Sequence, residues 1–369
     1  MGPVAAFTDT YLPTVNGVTY TVKIWRDRWQ ARGGQMDVVF PDTASYTPRR
    51  GEHAVESLPF PFYDGFRCSP PSIPESLDTA AIVHAHTPFA LGLAARRLAR
   101  THSRPLVASY HTPASAYASY LTDRPLPQAL LKRICNRYER WFFSGADLVV
   151  CPSRPTKTHL RDTLGVSASD IRVVPNGIDT DRFRPVDPTA FRERYDLTGT
   201  LVGYTGRHGF EKQLETLLVA ADGVETEKIT VVLAGDGPAR PQLNRRARDI
   251  DTEVRFLGWL SREELPAFYS ALDVFGFPSP VETQGLVALE ANACGTPVVG
   301  VDRGALTETI VTNKTGYRYD PGDTDGFIAA IERALTNRPT LQQHCLDRRA
   351  QMSVEHAIDQ LQSIYQSVV

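Results

Sequence analysis

Short runs of β-branched and aromatic residues alternate with longer amphipathic stretches along nearly the whole chain. In the first half the runs are Val4 to Phe7, Asp37 to Phe40, Ile82 to His84, Pro105 to Ser109, Asp147 to Cys151 and Ile171 to Val174. The pattern restarts with Leu201 to Gly206, Ile229 to Gly235, Val254 to Leu257, Asp273 to Phe277 and Pro297 to Val301. Apolar runs separated by helical segments predict parallel strands covered by helices on both faces. Two doubly wound α/β domains follow, divided near the turn-forming Pro175-Asn176-Gly177. A ligand cleft is expected between them, at the carboxyl ends of their strands.

Composition supports this picture and narrows it. With 369 residues, 42% hydrophobic and 22% charged, the chain can fill two ordinary cores. No apolar run approaches the ~20 residues that a bilayer span needs. Met1 to Thr10 lacks the basic stretch and apolar core of a secretory leader, so a cytoplasmic protein is expected. Cys68, Cys135, Cys151, Cys294 and Cys345 form no CxxC pair and no metal-like spacing, which predicts reduced thiols.

The net charge of −2 conceals an asymmetry. Residues 1–175 hold 20 Lys+Arg against 14 Asp+Glu, and residues 176–369 hold 20 against 28. A basic first half suits contact with an anionic membrane surface, and equally an ordinary solvated face. Within it, Leu91 to Arg104 and Leu130 to Phe143 mix cations with apolar residues; the second carries Lys132, Arg133, Arg137, Arg140, Trp141 and Phe142.

The candidate chemistry gathers where β-runs end. Glu282 lies on a Pro/Ser turn after the run ending at Phe277, and Glu290 lies eight residues on, inside an Ala/Leu-rich helix beginning near Gly285. The N–H groups around Gly285, Leu286 and Val287, at the positive end of the helix dipole, form an anion site suited to a diphosphate. In Gly-Tyr-Thr-Gly-Arg-His-Gly-Phe-Glu-Lys, Arg207 and Lys212 are expected to converge on one anion, the arginine as a fork and the lysine as a point charge. Asn16-Gly17 makes a tight turn before a helix starting near Tyr20, where glycine lets the backbone approach a phosphate. His84, His86 and His111 all sit at the ends of β-runs. Each signal also has a plainer structural reading: a capping turn, solvated loop cations, or a satisfied internal histidine. Gly235-Asp236-Gly237 lacks the third glycine of a dinucleotide fingerprint, having Arg240 there, and no P-loop sequence occurs.

Taken together these segments resemble the retaining glycosyltransferases of family 4. The likeness rests on Glu282-x7-Glu290 with its Glu-Thr-Gln-Gly wording, on Gly206-Arg207-x4-Lys212, on Asp-Thr-Tyr-Leu-Pro-Thr-Val-Asn-Gly-Val before Thr19, and on Val173 to Asp179 with Phe183. The wording is closest to the diacylglycerol glucosyltransferase branch, which Tyr117 and Tyr120 after His111 extend. Many members have Gly-Gly at Asn16-Gly17, and a glycine where Gln213 follows Lys212.

The resemblance implies a GT-B fold. Residues 1–175 would be an acceptor-binding Rossmann-like domain, residues 176–349 a nucleotide-sugar-binding one, and the helix in 350–369 would pack back on the first. It implies that Glu282 and His111 contact the transferred hexose, that Glu290 binds the ribose hydroxyls, and that Arg207, Lys212, Gly17 and residues 285–287 hold the diphosphate. No cofactor or metal is expected, only a nucleoside-diphosphate sugar as co-substrate. UDP-glucose is the expected donor, with GDP-mannose open. The expected acceptor is a membrane lipid such as diacylglycerol or an ether-lipid counterpart, reached by peripheral contact with the inner face of the cell membrane; no nucleic-acid partner is expected. The alternatives are a soluble or polyprenol-linked acceptor, an epimerase of the same architecture, or a nucleotide-sugar-binding protein without catalysis. A retaining glycosidase would need an acid and a nucleophile across the scissile bond, and Glu290 is assigned elsewhere.

Overall fold

The structure, a computed structural model, describes residues 2–14, 16–60, 67–114, 125–225 and 228–369. Its contacts divide the chain into two compact units, Met1–Gly177 with Val354–Val369, and Ile178–Ser353.

The first unit holds strands β1 (Val4–Phe7), β2 (Met36–Pro41), β3 (Glu52–Val55), β4 (Leu58–Pro59), β5 (Arg67–Cys68), β6 (Ile82–Ala85), β7 (Leu106–Ser109), β8 (Leu148–Cys151) and β9 (Ile171–Val173). Its main sheet is parallel, in the order β3-β2-β1-β6-β7-β8-β9, while β4 and β5 form a small antiparallel ribbon. β1, β6, β7 and β8 are buried at every position, as their continuous apolar character requires of a sheet covered on both faces. The helices are α1 (Gly17–Ala31), α2 (Ala90–Thr101), α3 (Pro125–Phe143) and α4 (Arg154–Asp162).

The second unit runs β10 (Thr200–Thr205), β11 (Ile229–Ala234), β12 (Glu253–Gly258), β13 (Val274–Phe277), β14 (Val298–Val301) and β15 (Gly316–Tyr319), in the parallel order β12-β11-β10-β13-β14-β15. The helices before, between and after them are α5 (Thr189–Arg194), α6 (Leu214–Asp222), α7 (Arg240–Arg246), α8 (Leu265–Ala271), α9 (Leu286–Ala293), α10 (Leu306–Thr309), α11 (Thr324–Thr336), α12 (Arg338–Asp347) and α13 (Arg349–Met352). In both sheets the strand order reverses beside the first strand, the switch point at which doubly wound folds place ligands.

The last helix, α14 (Val354–Val368), belongs to the first unit. Val354, Ala357, Ile358, Leu361, Ile364 and Tyr365 recur at helical spacing and enter the same apolar cluster as Val22, Trp25 and Trp29 of α1. The Tyr365 ring meets Trp29 edge-on at 5.1 Å, and Arg32 reaches Glu355 at 2.5 Å and Asp359 at 2.6 Å.

Three local differences from the sequence expectation have simple causes. α1 begins at Gly17 rather than near Tyr20, because Asn16 is a working N-cap whose side-chain oxygen accepts from the Thr19 N–H at 2.9 Å. β3 and β15 were not expected, since Glu52-His53-Ala54-Val55 and Gly316-Tyr317-Arg318-Tyr319 are not apolar runs. Both are sheet edges, where one side of the strand has no neighbouring strand to pair with and the sequence is free to be polar. All five cysteines are free thiols.

Candidate active site

In the second unit, the loop leaving β10 carries Arg207 and Lys212. It is clamped by the turn leaving β11: His208 N–H donates to Asp236 O at 2.8 Å, and Ala239 N–H donates to His208 O at 2.8 Å. Gly235 has φ +107°, and a Cβ there would stand 2.0 Å from the Gly206 carbonyl oxygen. The Gly-Asp-Gly segment therefore serves close turn-to-turn packing beneath Arg207.

Arg207 Nη2 lies 3.0 Å from Glu211 Oε1, and Lys212 Nζ lies 2.5 Å from Glu282 Oε1. Glu282 arrives on the loop after β13, which is held by Ala305 N–H donating to Glu282 O at 3.3 Å and by the Thr309 hydroxyl donating to Gln284 O at 2.6 Å. Burial alone would depress the Lys212 ammonium, but the Glu282 carboxylate outweighs it and holds the lysine above its ordinary range. The two cations expected to meet on one anion thus each have a carboxylate partner in this state. Just beyond, Gly285 (φ +79°) turns the chain into α9 with no side-chain cap, so the first N–H groups of that helix, at Leu286 and Val287, can receive an anion.

Glu290 has different surroundings. It is 5% exposed, Tyr269 donates its hydroxyl to Oε2 at 2.8 Å, and Arg262 Nη1 lies 3.4 Å from Oε1. Burial raises its carboxyl, and Arg262 and Tyr269 oppose that rise. The glutamate expected at a ribose is thus seated among partners of its own unit. Sequence reading missed both: Tyr269 and Arg262 are 21 and 28 positions away, and no motif marks them.

In the first unit the three histidines form a ladder across neighbouring strands. β6 and β7 pair with His84 opposite Val107. His84 shares hydrogen bonds with Tyr365 OH at 2.5 Å and Ser109 Oγ at 2.8 Å, so both its nitrogens serve the structure. His86 stacks on His84 with centroids 4.0 Å apart, and its Nδ1 lies 3.1 Å from His111 Nε2. Burial pushes all three imidazoles down: His84 to about 3, His111 to about 4, and His86 well below its ordinary value. They are neutral at pH 7.

Two buried acids flank this group. Asp9 accepts from the Thr87 hydroxyl at 2.6 Å and from the Leu91 N–H at 3.0 Å, capping α2; burial lifts it to about 6. Glu139 of α3 accepts from the Ala114 N–H at 2.7 Å, three residues after His111, and burial lifts it to about 7. Neither stood out in the sequence. Gly17 is the first residue of α1, where its carbonyl accepts from the Thr21 hydroxyl at 2.8 Å, and Asn16 also donates to Thr10 Oγ1 at 2.7 Å. Tyr117 and Tyr120 lie outside the described residues. Among the described residues no three His, Cys, Asp or Glu side chains are grouped as metal ligands.

Chemically, the second unit offers paired ions and helix amides for a polyanion, and the first offers neutral, desolvated hydrogen-bonding groups. Residues 15–182 match the family Glycosyltransferase Family 4, and residues 188–352 match Glycosyl transferases group 1. The chain is 29% identical over 366 residues to an alpha-monoglucosyldiacylglycerol synthase of Streptococcus pneumoniae, covering 94% of this chain and 81% of that protein. It is 31% identical to a sulfoquinovosyl transferase of Arabidopsis thaliana (77% and 56% covered) and 33% identical to a GDP-mannose-dependent phosphatidylinositol monomannoside mannosyltransferase of Mycobacterium tuberculosis (58% and 57% covered). The chain therefore spans little more than half the length of the last two.

Among solved structures, a sucrose-phosphate synthase from Thermosynechococcus elongatus aligns over 100% of this chain and 99% of its own with TM-score 0.80 at 22% identity. An Anabaena protein in complex with UDP and glucose aligns over 100% of both chains with TM-score 0.77 at 18% identity. Two Rossmann-like parallel sheets, each carrying its half of the family match, make the architecture GT-B. The chain belongs to glycosyltransferase family 4 and is a hexosyltransferase.

Proposed function

We propose that this enzyme moves glucose from UDP-glucose to a hydroxyl of a membrane lipid such as diacylglycerol, with retention at the anomeric carbon and without a metal. The observation that carries the reading is the Lys212–Glu282 pair beside the uncapped start of α9, with Arg207 on the same loop as Lys212. On this reading the donor diphosphate lies against the first N–H groups of α9 and exchanges for the carboxylate partners of Arg207 and Lys212. Glu282, released from Lys212 in whole or part, and His111 orient the hexose, and Glu290 holds the ribose. The C1–O bond to the diphosphate breaks while the acceptor oxygen bonds C1 on the same face. The acceptor proton passes to the departing diphosphate, whose charge Arg207, Lys212 and the helix amides stabilise.

The lipid acceptor is supported by two of the relatives, whose names contain diacylglycerol and phosphatidylinositol. It is supported also by α3, which exposes Leu130 (60%), Ile134 (56%) and Trp141 (50%) among Lys132, Arg133 and Arg137, a mixture suited to an anionic bilayer surface. No helix among the described residues is long and apolar enough to cross a membrane. The mannosyltransferase relative favours a second reading, with GDP-mannose as donor.

The deciding experiment measures nucleoside-diphosphate release from UDP-glucose, UDP-galactose and GDP-mannose with EDTA present, each with and without anionic vesicles containing diacylglycerol. Vesicle-dependent release from UDP-glucose is expected. Release indifferent to vesicles would move the acceptor to soluble or polyprenol-linked molecules. Release only after a divalent ion is restored would overturn the metal-free mechanism.

A further inference from the structure

His86 has no place in the chemistry above, yet it touches His111 directly. The two residues leave adjacent parallel strands, β6 and β7, and their rings are inclined by only 13° with centroids 5.4 Å apart. With Nδ1 of His86 and Nε2 of His111 3.1 Å apart, this is the geometry of an edge-to-edge N–H···N hydrogen bond. Both imidazoles are neutral, so one nitrogen of the pair is the donor and the other the acceptor.

The direction of that bond is set on the far side of His86. Its Nε2 is buried and has no hydrogen-bond partner among the described residues. A proton on that nitrogen would leave an orphaned N–H in the interior, which costs more than a bare lone pair. The proton of His86 therefore belongs on Nδ1, where it has an acceptor in His111 Nε2. His111 Nε2 then carries no proton, and the proton of neutral His111 belongs on Nδ1.

His84 and Trp25 both pack against this pair. The His84 ring is fixed at both nitrogens and stacks on His86 at 26°. The Trp25 ring lies 5.8 Å from His86 and 6.4 Å from His111, and its own N–H is fixed to Asn176 O at 2.7 Å. His86 is thus gripped in one ring orientation.

We propose that His86 is a positioning residue, which donates its Nδ1–H to His111 Nε2 and so fixes His111 as the Nδ1–H tautomer. His111 then carries an N–H, and not a lone pair, on its other nitrogen. Such a donor suits an oxygen of the hexose or of the acceptor, and it cannot serve as a general base. The catalytic consequence rests on the assignment of His111 to the sugar; the tautomer does not.

Two-bond 15N–1H correlation spectra of histidine-labelled protein read the tautomer directly, with the His111 signals assigned from a His111→Asn variant. The Nδ1–H pattern is expected for His111 in the unmodified protein. His86→Asn, whose amide N–H can stand near the position of Nδ1, should keep that pattern and keep kcat within about threefold. His86→Phe fills the space without a donor; it should abolish the single-tautomer pattern and lower kcat by about tenfold or more with a smaller change in KM, the cost of a misoriented contact. An Nε2–H pattern in the unmodified protein overturns the proposal, as does His86→Phe with tautomer and kcat unchanged. Should His86→Phe fail to fold, the unmodified protein and His86→Asn decide the question. Should no donor be turned over by any form, the proposed function fails while the spectra still settle the tautomer.

Discussion

The two halves of this enzyme assemble their polar groups in opposite ways. In the second unit Arg207, Glu211, Lys212 and Glu282 stand in opposite-sign pairs and are partly exposed. In the first, His84, His86 and His111 are buried until neutral, and Asp9 and Glu139 are buried until their protons are held near neutral pH. Desolvation penalises charge, so a site for a polyanion must keep water or counter-charges close, while a site for neutral hydroxyls can dispense with both. On the proposed reading, the carboxylates hold Arg207 and Lys212 in place before a diphosphate arrives.

The sharpest way to break the comparison is Lys212→Ala. Loss of one preorganised charge at the leaving group is expected to lower kcat by about 10²–10³-fold, with an unchanged unfolding midpoint. Glu282→Ala should also cripple turnover. A normal rate in either variant would end the proposed assignment of this pair.

Next in size is the acid response of the first unit. Its histidines stay neutral when folded but bind protons near pH 6.5 when unfolded, so their contribution to stability falls as pH drops from about 6.5 to about 4. Asp9 acts in the other direction. Folded, it holds its proton up to about pH 6, whereas an exposed aspartate releases it near 4, so it favours the folded state as pH falls through that window. Asp9→Asn should therefore steepen the acid loss of stability between pH 6.5 and 4, and His84→Gln should make it shallower, by about 1.4 kcal/mol per unit of pKa displacement removed. Thermal unfolding across about pH 4–7 checks both; identical slopes in the two variants would refute the account.

Glu290→Gln tests whether the buried glutamate is structural as well as functional. It removes the charge that faces Arg262 at 3.4 Å, and a loss of about 2 kcal/mol is expected for the second unit, together with a higher KM for the donor. Loss of donor affinity at full stability would show that Tyr269 and Arg262 hold Glu290 only loosely. Ile134→Asp on α3 should cut vesicle-dependent turnover severalfold and leave release in the absence of vesicles unaltered. The smallest effect is Gln213→Gly. Gln213 has φ 51° where many family members have glycine, so the substitution should stabilise the protein by up to about 1 kcal/mol by relieving left-handed strain.

Much of the fold was legible because a buried parallel strand must be apolar along its whole length: Val4 to Phe7 and Ile229 to Gly235 read as strands, and the structure has strands at Val4–Phe7 and Ile229–Ala234. The edge strands β3 and β15 escaped because they are not held to that rule. Glu282, Lys212 and Arg207 were conspicuous at loop positions after β-runs, but their pairing with Glu282 and Glu211 was not. Glu211 lies four residues from Arg207, a usual spacing for ion pairs, so the sequence does carry a signal for that partner. Asp9 carried no signal beyond following the first strand.

What the sequence determined by itself was local: where strands and helices run, which loops follow them, and which residue types those loops carry, since backbone propensity and apolar periodicity act over a few residues. Only the tertiary structure decided which groups are charged and what they hold. Tyr269 reaches Glu290, His86 reaches His111 and Tyr365 reaches His84 across 21, 25 and 281 positions of chain. Burial, which sets each of those groups' protonation, is a property of the neighbours that folding brings together and not of any segment alone.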